Sequence, residues 1–168
     1  MNYGGIIIDD IANGPGIRTS LFVSGCRNNC PGCLNKDAQD FTYGFSFTDK
    51  TEDYILDTIS KYHAGMTILG GDPMEPENAE ALLPLVDKFR KKYGATKSIW
   101  LYTGYIFEDI YKLDESDPRK KLLSEVDVIV DGPFIESQRD ITLKFRGSSN
   151  QRIINKWLSD DKKVVTIN

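Results

Sequence analysis

The sequence predicts an α/β protein whose fold is a partial, open β/α barrel with a mostly parallel sheet. Short β-prone runs alternate with amphipathic helical segments, which is the pattern of parallel strands joined by helical crossovers. A complete eight-unit barrel needs about 250 residues, whereas this chain has 168 residues. No internal repeat, low-complexity tract or linker divides the chain, so residues 1–168 are expected to form a single domain.

The first half of the chain is predicted to contain three strands and one helix. Glycine and proline in Asn13-Gly14-Pro15-Gly16 indicate a turn between the first two strands, and the second strand leads directly into a group of cysteines. Apolar residues at helical spacing predict the helix, with Gly65 as its stop, and Gly70-Gly71-Asp72-Pro73 closes the third strand. The predicted elements are the strands Gly5–Ile8, Thr19–Val23 and Met66–Leu69 and the helix Thr51–His63.

The second half is predicted to alternate helices and strands as far as Pro133. Pro84 lies inside the first of these helices and should kink or divide it. Beyond Pro133 the chain is polar and is expected to be irregular until the apolar segment Val164–Ile167. The predicted elements are the helices Glu77–Tyr93, Phe107–Leu113 and Arg119–Ser124 and the strands Ser98–Tyr102 and Val126–Val130.

Charge and hydropathy exclude several classes of protein. The chain has 21 basic and 25 acidic residues, and this balance argues against nucleic acid or an anionic membrane as the main partner. The longest aliphatic run, Ile6–Ile8, is too short to span a membrane. Residues Met1–Gly5 have neither the basic nor the apolar region of a signal peptide. A cytoplasmic protein is therefore expected.

Three cysteines form the most informative motif. Cys26, Cys30 and Cys33 have the spacing C-x3-C-x2-C, and the chain contains no other cysteine. An odd, clustered set is not a disulfide framework and indicates a reduced metal site. Three thiolates on one loop suit a cubane iron–sulfur cluster, which leaves the fourth iron open to a substrate. A structural zinc site with His63 as the fourth ligand is the alternative.

This loop and its surroundings resemble the radical S-adenosylmethionine (radical SAM) superfamily, whose signature is the same three-cysteine spacing. The chain from Asn13-Gly14-Pro15-Gly16-Ile17-Arg18 to Cys26 resembles the activases of glycyl radical enzymes. Within that group, Cys30–Lys36 and Phe145–Gln151 are similar to the activating proteins of anaerobic (class III) ribonucleoside-triphosphate reductases. The resemblance extends to about Arg152.

The resemblance implies a fold and two cofactors. The chain is expected to be a single radical SAM domain over residues 1–168, with the cluster loop at 26–33. One [4Fe–4S] cluster is implied, with its unique iron chelating the amino and carboxylate groups of SAM. The implied metal ligands are Cys26, Cys30 and Cys33.

The resemblance also implies which residues contact SAM. Gly70-Gly71-Asp72-Pro73 corresponds to the glycine-rich motif whose backbone holds the SAM amino group. Thr103 and Asp131, each at the end of a predicted strand, are candidates for the SAM carboxylate and ribose hydroxyls. All of these residues can instead be ordinary turn formers. The implied cofactor-binding set is Gly32, Cys33, Leu34, Gly70, Gly71, Asp72, Thr103 and Asp131.

The implied function is that of an activase of anaerobic ribonucleoside-triphosphate reductase. An external electron donor, flavodoxin-like, reduces the cluster, SAM is cleaved to methionine and a 5′-deoxyadenosyl radical, and this radical takes hydrogen from a glycine Cα of the reductase. No catalytic side chain is expected, because the cluster and SAM carry the radical chemistry; the chain's one histidine, His63, is predicted at a peripheral helix end. The basic segment Lys144–Arg152 and the rim at Asp131–Pro133 are expected to face the reductase loop.

Two other functions are left open by the sequence. One is activation of a different glycyl radical enzyme, such as formate acetyltransferase, although the length of the chain and the segment Arg146–Gln151 argue against it. The other is a non-catalytic iron–sulfur or zinc module. Iron and sulfide analysis followed by a SAM-cleavage assay distinguishes the second alternative from an activase.

Overall fold

A computed structural model of the protein describes residues 1–167. These residues contain one sheet of seven strands and four α-helices, together with short 3-10 turns. Every strand and helix predicted before Pro133 is present, with ends that differ by a few residues. In chain order the elements are β1 (Asn2–Asp10), β2 (Ile17–Val23), β3 (Phe45–Ser46), α1 (Asp49–Thr58), β4 (His63–Gly70), α2 (Pro76–Tyr93), β5 (Ser98–Tyr102), α3 (Phe107–Tyr111), α4 (Pro118–Glu125), β6 (Val128–Asp131) and β7 (Arg152–Asn155).

The sheet is open and has a parallel centre. Its strand order is β3-β1-β2-β4-β5-β6-β7, and β2, β4, β5 and β6 run parallel, while β1, β3 and β7 are antiparallel to their neighbours. Helices connect each parallel strand to the next, as the alternating pattern predicts. The carboxyl ends of the parallel strands therefore meet at one edge of the sheet, which is where sites form in such folds.

The four helices share one apolar core with one face of the sheet. Along β5, Ile99 and Leu101 point into this core, whereas Trp100 and Tyr102 pack on the opposite face. Phe145 covers Trp100 on that face, with ring centroids 5.7 Å apart. No helix within residues 1–167 is long and apolar enough to cross a membrane.

The prediction that His63 ends a helix is wrong. Helix α1 ends at Thr58, and Ile59 packs into the core from an extended backbone, so the apolar spacing continues past the true helix end. His63 begins β4, where it pairs with Ile17 of β2 and is buried. Its Nδ1 accepts a hydrogen bond from the Ser60 backbone N–H.

Two residues that usually interrupt structure lie inside continuous elements. Gly65 is within β4, where a Cβ atom would come 1.8 Å from the Ser98 carbonyl oxygen of β5, so glycine lets the two strands approach. Pro84 lies inside α2, which continues through it, so the prediction that Pro84 divides this helix is wrong. Pro84 and Glu80, whose carbonyl loses its helical partner, are both exposed, so water can satisfy that carbonyl.

The chain beyond Pro133 is more ordered than the sequence predicts. β7 pairs antiparallel with β6 and places Ile154 at a fully buried position. Only two of its four residues, Ile153 and Ile154, are apolar, so no hydrophobic run marks this strand in the sequence. The apolar segment at 164–167 is not a strand, and Thr166 makes an isolated bridge to Ile154.

Candidate metal centre

A cleft of about 370 Å³ lies at the carboxyl ends of the parallel strands and brings most of the predicted site residues together. The three cysteines line it and are half-buried. The predicted contact residues Leu34, Gly70, Gly71, Asp72 and Thr103 line it as well. Gly32 and Asp131 do not belong to its lining.

The cysteine loop is attached to the protein through backbone hydrogen bonds. The N–H of Cys26 donates to the Gln39 carbonyl at 3.1 Å, and the N–H of Arg27 donates to Glu75 Oε1 at 2.7 Å. Glu75 is fully buried and forms an ion pair with the Arg27 guanidinium. This guanidinium also pairs with Glu77. The loop therefore keeps its position without using any cysteine sulfur.

Asp72 joins the cysteine loop to the end of β5. Its Oδ2 accepts hydrogen bonds from Asn28 Nδ2 at 2.8 Å and from the Gly104 N–H at 2.9 Å. Its Oδ1 accepts from Thr103 Oγ1 at 2.7 Å and from the Met74 N–H at 2.9 Å. Burial raises the pKa of this carboxyl to about 6, although the hydrogen bonds from Thr103 and the backbone oppose the shift.

The two glycines before Asp72 are required by close backbone contact. A Cβ on Gly71 would lie 2.6 Å from the carbonyl oxygens of Ala38 and Gly25, and a Cβ on Gly70 would lie 2.6 Å from the Val23 carbonyl oxygen. The Gly71 N–H donates to that Val23 carbonyl at 2.7 Å. These glycines therefore have a packing role within the fold.

Asp131, the predicted ribose contact, lies inside the fold. The carboxylate is fully buried, and its Oδ1 accepts from Arg152 Nε at 2.9 Å while its Oδ2 accepts from the Phe107 N–H at 2.8 Å. Arg152 also donates two hydrogen bonds to Glu108 of α3. Asp131 thus connects β6, β7 and α3, and both of its oxygens are engaged within the fold.

Gly32 lies at the exposed tip of the cysteine loop rather than in the cleft. It has a φ of 69°, a left-handed conformation that favours glycine. An added Cβ would approach the Glu136 carboxylate to 2.9 Å. Glycine at this position therefore has a conformational explanation, and the predicted SAM contact is not supported by the placement of Gly32.

The segment after Pro133 forms one wall of the cleft. Leu143, Phe145, Arg146 and Gly147 line this wall, and Arg146 Nη1 donates to the Gln151 carbonyl at 2.8 Å. Phe145 has a φ of 56°, which is unusual for a bulky residue. The wall leaves the cysteines half-buried, so this segment does not seal the cleft.

The donor set fits a cubane cluster better than one metal ion. Within residues 1–167, no three histidine, cysteine or carboxylate side chains are grouped so that they could hold a single ion. In a cubane each cysteine binds a different iron, so the thiolates need not converge on one point. Burial, aided by the charges of Asp72 and Glu75, raises the pKa of the Cys26 thiol to about 11. Metal binding must therefore displace a proton from this thiol.

The structure excludes His63 as a fourth ligand. It begins β4, whereas Gly70, the last residue of β4, lines the cleft. A strand rises about 3.3 Å per residue, so these two positions are roughly 23 Å apart. The zinc alternative with His63 as a ligand is therefore wrong.

Sequence reasoning missed two residues that hold the cysteine loop, Asn28 and Glu75. Both lie beside motifs that were recognised, since Asn28 is between the first two cysteines and Glu75 follows Asp72 by three residues. The available signal was a pair of acidic residues directly after a buried strand. Their partners lie 44 and 48 positions away along the chain, and no local pattern gives such a contact.

Fold and site together define an α/β protein built to carry one iron–sulfur cluster on a cysteine loop. Residues 12–154 match the family model described as a 4Fe-4S single cluster domain. The anaerobic ribonucleoside-triphosphate reductase-activating protein of Haemophilus influenzae is 41% identical over 157 residues, covering 91% of this chain and 97% of that protein. Proteins of the same name from Escherichia coli K12 and Enterobacteria phage T4 are each 40% identical, covering 90% and 96% of this chain and 96% of each relative. The chain belongs to the family of anaerobic ribonucleoside-triphosphate reductase-activating proteins.

Proposed function

We propose that this protein activates anaerobic ribonucleoside-triphosphate reductase through a [4Fe–4S] cluster and SAM. The observation that carries the proposal is that its three cysteines line one cleft with the glycine segment that follows β4. Relatives that are named as activating proteins of this reductase match nearly the whole chain. When bound and reduced, the cluster with SAM supplies the radical that takes hydrogen from a glycine Cα.

In this proposal, Cys26, Cys30 and Cys33 hold three irons and the cleft beside them holds SAM. The N–H groups of Gly71 and Asp72 are used within the fold, so this segment contacts SAM through carbonyl groups, which accept hydrogen bonds from an ammonium group. Leu34 covers the outer margin of the site. The Thr103 hydroxyl already donates to Asp72, so its oxygen is available only as an acceptor.

We further propose that the chain is a single radical SAM domain with a partial barrel that the reductase completes. The edge strands β3 and β7 do not pair with each other within residues 1–167, which leaves the sheet open. A radical needs a site that excludes water, so the reductase loop that carries the target glycine must close the cleft. The electron donor is proposed to be flavodoxin-like, and the cellular location to be the cytoplasm.

The decisive experiment is reduction of the anaerobically reconstituted protein with and without SAM. Saturating SAM is expected to change the electron paramagnetic resonance spectrum of the cluster, because the fourth iron has no protein ligand. Methionine and 5′-deoxyadenosine should then form, and a glycyl radical should appear on the reductase when it is present. An unchanged spectrum at saturating SAM contradicts the proposal. A radical formed equally well on formate acetyltransferase contradicts the choice of partner.

A second prediction concerns the wall formed by the segment after Pro133. Arg146→Ala is expected to lower the yield of glycyl radical roughly tenfold, about the effect of one lost charge-assisted contact with the partner. SAM affinity should change by less than about twofold, since the substitution leaves the cysteines and the glycine segment, which are proposed to hold SAM, unchanged. Arg139→Ala is the matched control, because Arg139 is an exposed arginine that lies outside the segment Lys144–Arg152 and does not line the cleft. Equal losses in both variants, or a loss of SAM affinity with Arg146→Ala, contradict this role.

A further inference from the structure

One buried residue, Asp72, connects three segments that border the cleft through its backbone N–H and its carboxylate. The backbone N–H of Asp72 donates to the Gly25 carbonyl at 2.8 Å, immediately before the first cysteine. Its side chain accepts from Asn28 within the cysteine loop and from Thr103 and Gly104 at the end of β5. A displacement of the cysteine loop relative to the glycine segment must therefore break or stretch a hydrogen bond to Asp72.

The contact between Asn28 and the end of β5 leaves no room for a side chain. A Cβ on Gly104 would lie 2.3 Å from Asn28 Nδ2, so the amide of Asn28 rests against the Gly104 backbone. Asn28 is half-buried, lines the cleft and is one of four residues that donate hydrogen bonds to the Asp72 carboxylate. Asn29, the next residue, is exposed, and its amide donates within the loop to the Arg27 carbonyl at 3.3 Å.

We propose that Asn28 is a positioning residue for SAM, acting through Asp72. Asn28 lies between Cys26 and Cys30, so its bond to Asp72 fixes the tilt of the loop that holds the irons. Asp72 in turn follows Gly70 and Gly71 directly, so the same bond sets the distance between the irons and the glycine segment. SAM must reach both at once. This inference rests on the proposed function, because it assigns to the Asn28–Asp72 hydrogen bond the alignment of the cysteine loop with the glycine segment, the two parts of the proposed SAM site.

The test compares the same chemical change at two neighbouring positions. Asn28→Asp places a carboxylate against Asp72, whereas Asn29→Asp adds the same charge one residue away without facing it. In the reduced, cluster-loaded variants, SAM is titrated while the cluster is followed by electron paramagnetic resonance. The half-saturating SAM concentration should rise roughly tenfold for Asn28→Asp, because a charge-assisted bond becomes a repulsion. It should change by less than about twofold for Asn29→Asp, and iron content should match wild type in both.

Hydrogen exchange in the cluster-free protein provides a readout that requires neither cofactor. The backbone N–H groups of Arg27 and Gly104 are hydrogen-bonded in the structure, to Glu75 and Asp72 respectively. Their exchange should accelerate roughly tenfold in Asn28→Asp and stay unchanged in Asn29→Asp. If wild-type protein shows no response to SAM, the proposed function fails. The exchange comparison then still tests whether the Asn28–Asp72 hydrogen bond holds the cysteine loop in place.

The outcomes separate the proposal from simpler explanations. Equal SAM responses in the two aspartate variants overturn it. Iron loss in Asn28→Asp as complete as in a cysteine variant also overturns it, because Asn28 would then serve cluster assembly and not SAM alignment. If Asn28→Asp does not fold, Asn28→Ala takes its place, with an expected rise of about threefold to tenfold for the loss of one hydrogen bond.

Discussion

Cys26→Ala, Cys30→Ala and Cys33→Ala are each expected to abolish SAM cleavage. Each variant removes one of three thiolates, and the chain has no fourth cysteine to replace it. His63 cannot substitute, because it lies at the other end of β4 from the cleft. Iron and sulfide content should fall with each substitution, and 5′-deoxyadenosine should be undetectable in the reduced, reconstituted variants. Wild-type cleavage in any of the three contradicts the assignment of the cluster.

The fold of these cysteine variants should persist. The loop is held by the backbone bonds of Cys26 to Gln39 and of Arg27 to Glu75, which an alanine leaves intact. The circular dichroism spectrum and thermal midpoint of the metal-free variants should therefore match those of metal-free wild type. Pro31→Ala is the control, because Pro31 is an exposed residue of the same loop and should retain iron.

Local patterns in the sequence were sufficient for the centre of the fold. Helical spacing and short apolar runs predict α2 and the strands β4 and β5, because each element has one face that packs into the core. They fail where packing is decided by a distant segment. Ile59 continues the helical spacing of α1 but is buried from an extended backbone, and β7 depends on pairing with β6.

The candidate site shows the same division between local and distant information. The cysteine spacing predicts the ligands, since three thiols within one loop must lie near one another. Side-chain partners cannot be derived in this way. Asp131 comes directly after the predicted strand Val126–Val130, which is a common position for a ligand contact. In the structure, however, Arg152, 21 residues later, donates a hydrogen bond to its carboxylate. The Asn28 amide and Asp72 are 44 residues apart, and only the folded sheet brings them together.

Arg18 illustrates how a motif residue can act entirely within the fold. The sequence places it at the end of Asn13-Gly14-Pro15-Gly16-Ile17-Arg18, and the structure buries it completely against the face of the sheet opposite the helices. Its guanidinium donates to Thr67 Oγ1 at 2.7 Å and to the carbonyls of Met66 at 2.7 Å and Ser98 at 2.8 Å. Burial lowers the pKa of Arg18 to about 10, so the side chain is still charged at neutral pH.

Arg18→Met is expected to lower the free energy of unfolding by about 3 kcal/mol, because it leaves several buried acceptors without a donor while filling much of the same volume. For a chain of this size such a loss corresponds to a thermal midpoint about 10 °C lower. Arg139→Met is the matched control at an exposed position and should change the free energy of unfolding by less than about 0.5 kcal/mol. Arg18 Nη1 also donates to the Pro15 carbonyl at 3.4 Å, two residues after Asn13, which lines the cleft. Equal midpoints for the two methionine variants in thermal or denaturant unfolding contradict this role of Arg18.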